Sequence, residues 1–264
     1  MFSTPTIAGI ARVFETKCGN VNPKDTNPLS PIAPFIPEEE IKLPEDIRGA
    51  TTHFNTFDFS NVSKAKHILL TGATGFLGAF VLAELLKRTS GAIHCLIRVS
   101  EGYLDKQREK KHQDLRQAAR SKLRANLEKY QLFPSKDYMR ISEVVVGDLE
   151  KPKIGIGDHE FNHLGDTIDA IYHCGAYVHS LYPYSKLRNA NVCGTTELLR
   201  LASINHSRPI PFFYVSSLSV FPGNGDIIHD DSSTYELPLS ILAKLGEGYA
   251  QTKVIAERLV IEVR

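Results

Sequence analysis

The sequence lacks what several common protein classes require. Across its 264 residues no apolar run approaches the ~18 residues of a membrane span. The N-terminus has neither a basic stretch nor the unbroken apolar core of a secretory signal. A cytoplasmic location is therefore expected. A net charge of +1 offers no excess cation to a nucleic-acid backbone or an acidic membrane surface, so neither is expected as a partner. The four cysteines, Cys18, Cys95, Cys174 and Cys193, show no C-x-x-C spacing. Three of them fall in segments that read as core elements, where a free thiol behaves as a small hydrophobe. Neither a metal site nor a disulfide framework is expected. Internal repeats and low-complexity tracts are absent, and nothing in the sequence fixes an oligomeric state.

What the chain has is a hydrophobic content of 42%, enough for a full core. It is organised around His67-Ile-Leu-Leu-Thr-Gly-Ala-Thr-Gly-Phe-Leu-Gly78. Five residues that read as a buried strand lead into glycines at 72, 75 and 78, and then into a segment with Leu77, Val81, Leu82, Leu85 and Leu86 at helical spacing. Such a strand–turn–helix brings backbone N–H groups and a helix N-terminus against a diphosphate, with glycine where a Cβ would block the approach. Gly72, Thr74, Gly75, Phe76, Leu77 and Gly78 are thus candidate cofactor-binding residues.

Upstream, Ser3-Thr4-Pro5 starts a short helix with Ile7, Ile10, Val13 and Phe14 on one face. A helix that short needs a partner for its apolar side. Residues 18–48 follow, interrupted by Pro23, Pro28, Pro31, Pro34, Pro37 and Pro44, a composition that reads as a semi-extended linker. The folded domain is expected over 49–264.

Within it, Gly91–Arg98 reads as a second strand and Asp105–Tyr130 as a basic helical insertion buried along Leu115, Ala119, Leu123 and Leu127. Ile141–Val146 reads as a third strand running into Gly147-Asp148-Leu149, and Ile168–His173 as a fourth running into Cys174-Gly175-Ala176. A helix over Leu187–Ala202, a fifth strand over Pro211–Val215 ending in Ser216-Ser217, and a long helix over Leu239–Val263 complete the pattern. Alternating strands and helices predict an α/β fold, a doubly wound parallel sheet covered on both faces.

The end of the second strand bears on cofactor choice. An NAD site places an acid about 20 residues past the glycine turn, and an NADP site places Arg near the 2′-phosphate. This chain has Arg98 there, with no acid beside it, which favours NADP over NAD, the plainer alternative being a merely solvated surface cation. Asp148 and Leu149 fall where an adenine would sit, and Gly175 and Ala176 permit close approach to diphosphate and ribose. Tyr249 and Lys253, one helical turn apart, share a face. A phenol with a pKa near ~10 needs a nearby cation to work at neutral pH, and Lys253 is the candidate. Ser217, at a strand's carboxyl end, adds a hydroxyl. Together the three can polarise a carbonyl and deliver its proton while hydride arrives from a nicotinamide.

TGATGFLG, GDL, HCGA, Ser216-Ser217 and GYAQTK resemble an extended short-chain dehydrogenase/reductase of the Rossmann type. More narrowly, Tyr184–Thr195, Phe213–Phe221, Gly248–Arg258 and the insertion after Arg98 resemble the thioester reductase domains of nonribosomal peptide synthetases, carboxylic acid reductases and aminoadipate reductases. The resemblance covers about residues 45–264. It implies NADPH as cofactor, Ser217, Tyr249 and Lys253 as catalytic residues, and Asn191 as a further cofactor residue. It implies reductive release of an acyl or peptidyl thioester, carried on phosphopantetheine by an upstream carrier domain, as an aldehyde or onward as an alcohol. Residues 1–17 are similar to the closing helix of a carrier domain, so Met1 is expected to be a cut point in a longer polypeptide.

The sequence departs from the family in two ways. Ser217 stands where Thr is usual, with Ser216 the lesser candidate, and the chain stops before the C-terminal substrate domain that the family carries. Activity of this piece alone is thus in question. The rival readings are another extended reductase or epimerase acting on a free sugar, sterol or fatty acyl-CoA, and a non-catalytic nucleotide-binding or docking module. His159-Glu-Phe-Asn-His163 fits the zinc-protease pattern H-E-x-x-H. Phe161 and Leu164, however, read as the buried face of a short helix, leaving the histidines outside.

Overall fold

The apolar run Ile68-Leu69-Leu70 can be buried only if both faces of its strand are covered, and the fold does this. The computed structural model describes residues 41–48, 64–99, 108–133, 140–141, 143–204, 210–221, 245 and 247–263. The carrier-like segment 1–17, most of the linker and the first part of the helix expected from Leu239 lie outside the described residues.

Five parallel strands form one sheet in the order β3-β2-β1-β4-β5. They are β1 (His67–Thr71), β2 (Ala92–Ile97), β3 (Glu143–Val146), β4 (Ala170–His173) and β5 (Phe212–Tyr214). Helices lie between them: α1 (Glu45–Arg48) before the sheet, α2 (Phe76–Arg88), α3 (Arg108–Lys129), α4 (Asp158–Thr167), α5 (Tyr184–Arg188), α6 (Gly194–Ser203) and α7 (Gly248–Glu262). The doubly wound α/β fold is the one expected. The strand order reverses between β1 and β4, and in open sheets of this kind ligands bind in the crevice at the strands' carboxyl ends beside that reversal.

Alternation along the strands sorts the core into two layers. Ile68 and Leu70 of β1, with Ile93, Cys95 and Ile97 of β2, pack against Leu82, Leu85 and Leu86 of α2 and Ala119, Leu123 and Leu127 of α3. The buried stripe expected for the basic insertion is therefore present. Leu69, Leu96, Val145 and Ile171 face the other way, onto Phe161 and Leu164 of α4 and Leu198 and Leu201 of α6.

Two differences from the sequence reading bear on function. Residues 41–48, the end of the stretch read as linker, belong to the packed domain. Leu43 and Ile47 join Val192, Leu199, Ile255, Leu259 and Val263 in a third apolar cluster. Full burial of such side chains is worth ~1.5–3 kcal/mol each, enough to hold a four-residue helix that would not form alone. Asp46 pairs with Arg200, and the Leu43 backbone N–H donates to Glu262 at 3.3 Å. The packed domain thus starts before residue 48. The second difference is in the helix expected over Leu187–Ala202. It begins at Tyr184, ends at Ser203 and contains a π turn at Asn189–Cys193, a wide turn that re-aims the side chains it carries.

Candidate active site

At Gly72 the chain turns with φ +76°, a left-handed conformation natural only to glycine. A Cβ there would lie 2.7 Å from the backbone of Cys174 and Gly175. Gly78 sits still closer, since its Cβ would be 2.1 Å from the Gly72 carbonyl oxygen. These two contacts fold the turn tightly enough to set the start of α2 directly beyond β1. The helix's N-cap is Gly75, with no side chain to cap it, so the first-turn N–H groups are offered to the crevice. From outside the motif, Asn126 of α3 donates to the carbonyls of Ala73 (3.3 Å) and Gly75 (3.2 Å), pinning the turn.

A cleft of about 560 Å³ opens there. All the candidate residues line it except Asn191: Gly72, Thr74, Gly75, Phe76, Leu77 and Gly78 at the turn, Arg98 past β2, Asp148 and Leu149 past β3, Gly175 and Ala176 past β4, Ser217 past β5, and Tyr249 and Lys253 of α7. An uncapped helix start, a glycine cradle that any side chain would fill, and a volume of this size fit a dinucleotide.

Asn191 does not line the cleft. It is buried in the π turn, where its amide donates to Tyr177 O (3.1 Å) and Thr252 Oγ1 (3.0 Å) and its oxygen accepts from Tyr177 N–H (2.7 Å). Its hydrogen-bonding capacity is spent behind the cleft wall. There it fastens the loop after β4 to α7.

Arg98 also has a neighbour that the linear sequence hides. The turn after β3 folds back so that Glu150 meets Arg98 at 2.8 Å, and Asp148 shapes that turn by accepting from Glu150 N–H at 3.0 Å. The pair is largely exposed, at 55% and 37% for the two side chains, and such pairs contribute at most ~1 kcal/mol. Lys122 Nζ donates to the Arg98 carbonyl at 2.9 Å, fastening the end of β2 to α3.

At the opposite end, Ser216 and Ser217 part company. Ser216 Oγ donates to Glu257 of α7. Ser217 caps the short 3₁₀ turn Leu218–Val220 through Ser219 N–H at 3.2 Å, its hydroxyl lies 2.8 Å from that of Ser219, and it lines the cleft with Tyr249. Ser217 is therefore the serine beside the phenol. Burial pushes the Tyr249 phenol above its ordinary value, and the nearby Ser217 hydroxyl opposes that. Lys253, read as the cation that would lower the phenol's pKa, is held elsewhere. Its Nζ donates to Val215 O at 2.6 Å and lies 4.0 Å above the Tyr214 ring. It is 3% exposed, and burial pulls its ammonium down to about 8, opposed by the nearby Glu257 and Cys174.

The family model described as "Male sterility protein", an NAD-binding family, matches residues 70–264. The chain belongs to that family. Over 260 residues, 98% of this chain and 5% of the relative, it is 33% identical to a linear gramicidin synthase of Brevibacillus parabrevis. Over 203 residues, 74% of this chain and 14% of the relative, it is 36% identical to the L-2-aminoadipate reductase large subunit of Candida glabrata. Among solved structures, the terminal R domain of the myxalamid PKS-NRPS pathway is similar at 41% identity and a TM-score of 0.61, over 75% of this chain and 45% of that one. The chain thus spans a small part of these curated relatives and less than half of that solved domain. It is an NAD(P)-binding Rossmann domain of an oxidoreductase family whose members include terminal reductase domains and aminoadipate reductases.

A buried network under the cleft escaped the sequence reading. Thr71 and His173 are register partners on β1 and β4. Gly175 N–H donates to Thr71 Oγ1 (2.9 Å), whose hydroxyl donates to His173 Nδ1 (2.7 Å). His173 Nε2–H donates to Thr195 Oγ1 (3.0 Å), which donates to Asn191 O (2.6 Å). This assignment leaves every proton placed and the imidazole neutral. Burial first, and the Lys253 charge second, pull His173 down to about 3. The available signal was a polar pair closing two apolar strands.

The H-E-x-x-H segment lies on α4 with Phe161 and Leu164 buried and His159 and His163 exposed, while Glu160 faces Arg116 at 3.7 Å. Among the described residues no group of three or more His, Cys, Asp or Glu could hold a metal ion, and no helix is long and apolar enough to cross a membrane.

Proposed function

We propose that the chain is the cofactor-binding part of an NADPH-dependent thioester reductase that releases a carrier-bound acyl or peptidyl group as an aldehyde. The observation that carries this reading is the meeting of Ser217, Tyr249 and Lys253 in the same cleft as the glycine turn and Arg98. The names of the relatives support it, since they include a gramicidin synthase, an aminoadipate reductase and a terminal R domain.

In this reading the uncapped start of α2 holds the diphosphate, Arg98 faces the 2′-phosphate, and Lys253 fixes the nicotinamide ribose. Bound NADPH supplies hydride to the thioester carbonyl carbon. Tyr249 gives its proton to the carbonyl oxygen and Ser217 hydrogen-bonds that oxygen, so no free oxyanion has to form. Breaking the C–S bond of the resulting hemithioacetal yields aldehyde and the phosphopantetheine thiol. The carrier is the domain that residues 1–17 would close, and the domain boundaries follow the sequence reading, with residues 41–48 joined to the reductase fold.

The test has two steps. NADPH and NADH are titrated against the chain by nucleotide fluorescence, and NADPH oxidation is then followed with a carrier-loaded thioester and with the same acyl group on coenzyme A. Preferential NADPH binding and oxidation with the carrier-bound thioester support the proposal. Turnover of the coenzyme A ester alone overturns it in favour of a free-substrate reductase, and failure to bind either nucleotide overturns it in favour of a docking module.

A further inference from the structure

Lys253 lies almost wholly out of water, and its Nζ hydrogen bonds to Val215 O and contacts the Tyr214 ring face, both neutral groups. An ammonium in such a place is costly unless a negative charge lies near it. The charged and titratable groups around it come from three directions: Tyr214 on β5, His173 and Cys174 at the end of β4, and Tyr249 and Glu257 on α7 itself. Burial keeps most of these neutral near pH 7. Cys174 is pushed up to about 11, Tyr214 is driven well above its ordinary value, and His173 stays unprotonated. Glu257 is the carboxylate among them. It stands one helical turn beyond Lys253, on the same face.

Glu257 is also anchored. Ser216 Oγ donates to its carboxylate from the end of β5, across from α7. That bond commits the Ser216 proton to the acid and leaves the Ser217 hydroxyl for the cleft it shares with Tyr249. The two adjacent serines thus serve different ends, one beside the phenol and one on the acid behind the lysine.

We propose that Glu257, tethered by Ser216, is the positioning residue that keeps Lys253 charged at the floor of the cleft. The proposal deepens the reductase reading, because a charged Lys253 is what the ribose and the transferring proton require there. Glu257 is not among the residues lining the cleft, so its effect there runs through the lysine.

The test measures Lys253 directly, so it stands whether or not turnover is found. The chain is labelled with ¹³C-lysine, the Lys253 resonance is assigned by Lys253→Arg, and its titration is followed by NMR. Glu257→Gln keeps an acceptor for Ser216 while removing the charge, and is expected to move the Lys253 midpoint down by about one pH unit, leaving about tenfold less ammonium above the midpoint. Ser216→Ala, which cuts only the tether, should move it the same way by less, and Glu257→Asp should restore part of it. Where turnover is measurable, the alkaline limb of the pH–rate profile should shift with the midpoint. An unmoved Lys253 midpoint in both Glu257→Gln and Ser216→Ala, with thermal melts showing folded proteins, overturns the proposal.

Discussion

At the scale of single residues, the Arg98–Glu150 pair sets up the cofactor question. A dianionic 2′-phosphate competes with Glu150 for the guanidinium, whereas a 2′-hydroxyl could instead donate to Glu150. The exposed pair is weak, so a phosphate can take Arg98 at little cost. Arg98→Ala is expected to weaken NADPH binding about tenfold or more and to leave NADH nearly unchanged, because one charge-assisted hydrogen bond is worth ~1.5–3 kcal/mol. Glu150→Gln should tighten NADPH. Fluorescence titration of both nucleotides with both variants checks this, and a larger loss for NADH than for NADPH in Glu150→Gln would identify an NAD site. Tyr249→Phe addresses the other end of the cleft. It removes the proton donor but keeps the ring, so carrier-thioester turnover should fall by a factor of at least ~10² with NADPH affinity within about twofold. Retained turnover would remove Tyr249 from the proposed chemistry.

At the scale of elements, the glycine turn and the π turn show what the sequence could and could not convey. The turn from β1 into α2 was legible because its constraints are local. Gly72, Gly75 and Gly78 sit within one strand–helix junction, and their spacing carries the geometry. Gly78→Ala should therefore be severe, since its Cβ would strike the Gly72 carbonyl and only backbone movement could relieve the clash. A stability loss of about 1–3 kcal/mol and loss of NADPH binding are expected, read by thermal melting and titration. Unchanged binding in a folded variant would mean that the turn does not hold the cofactor. The π turn at Asn189–Cys193 was not legible, because helix periodicity is the same on either side of it. The one-residue widening becomes visible only through its long-range partners, Tyr177 and Thr252. The same reasoning covers Glu150 and Asn126, which reach Arg98 and the glycine turn from 52 and about 50 residues away and carry no local motif. Strand ends and the buried stripe of α3 follow from pattern. Which side chains cross between elements does not.

At the scale of the whole molecule, the buried polar network of Thr71, His173 and Thr195 under the sheet's carboxyl edge makes stability depend on pH. His173 lies between β1, β4 and the π turn and is held at about 3, against an ordinary value of 6.5, by burial and then by the Lys253 charge. Below pH 6.5 the unfolded chain takes up a proton that the folded chain refuses until about pH 3. The unfolded state then binds more protons, and stability falls as pH drops through that window. Over the full window the loss amounts to roughly 4–5 kcal/mol. Lys253 acts at the other end. Its ammonium titrates at about 8 in the fold and 10.5 unfolded, so stability rises between those values as the fold sheds a costly buried charge first. Urea midpoints measured against pH should therefore climb from pH 3 to 6.5 and level off toward 8. Above about 9 the Lys253 gain is opposed by Cys174 and Cys95, whose burial raises their thiols to about 11 and about 12 so that the fold keeps protons the unfolded chain loses. Carboxylates elsewhere also contribute to the acid limb, and a variant separates them. His173→Gln keeps hydrogen-bonding atoms near Thr71 and Thr195 but cannot titrate. The wild-type minus variant difference should fall steadily from pH 6.5 to 3 and be flat between 6.5 and 8. An acid limb equally steep in both proteins would show that the imidazole is not the buried neutral group linking the sheet to the cleft.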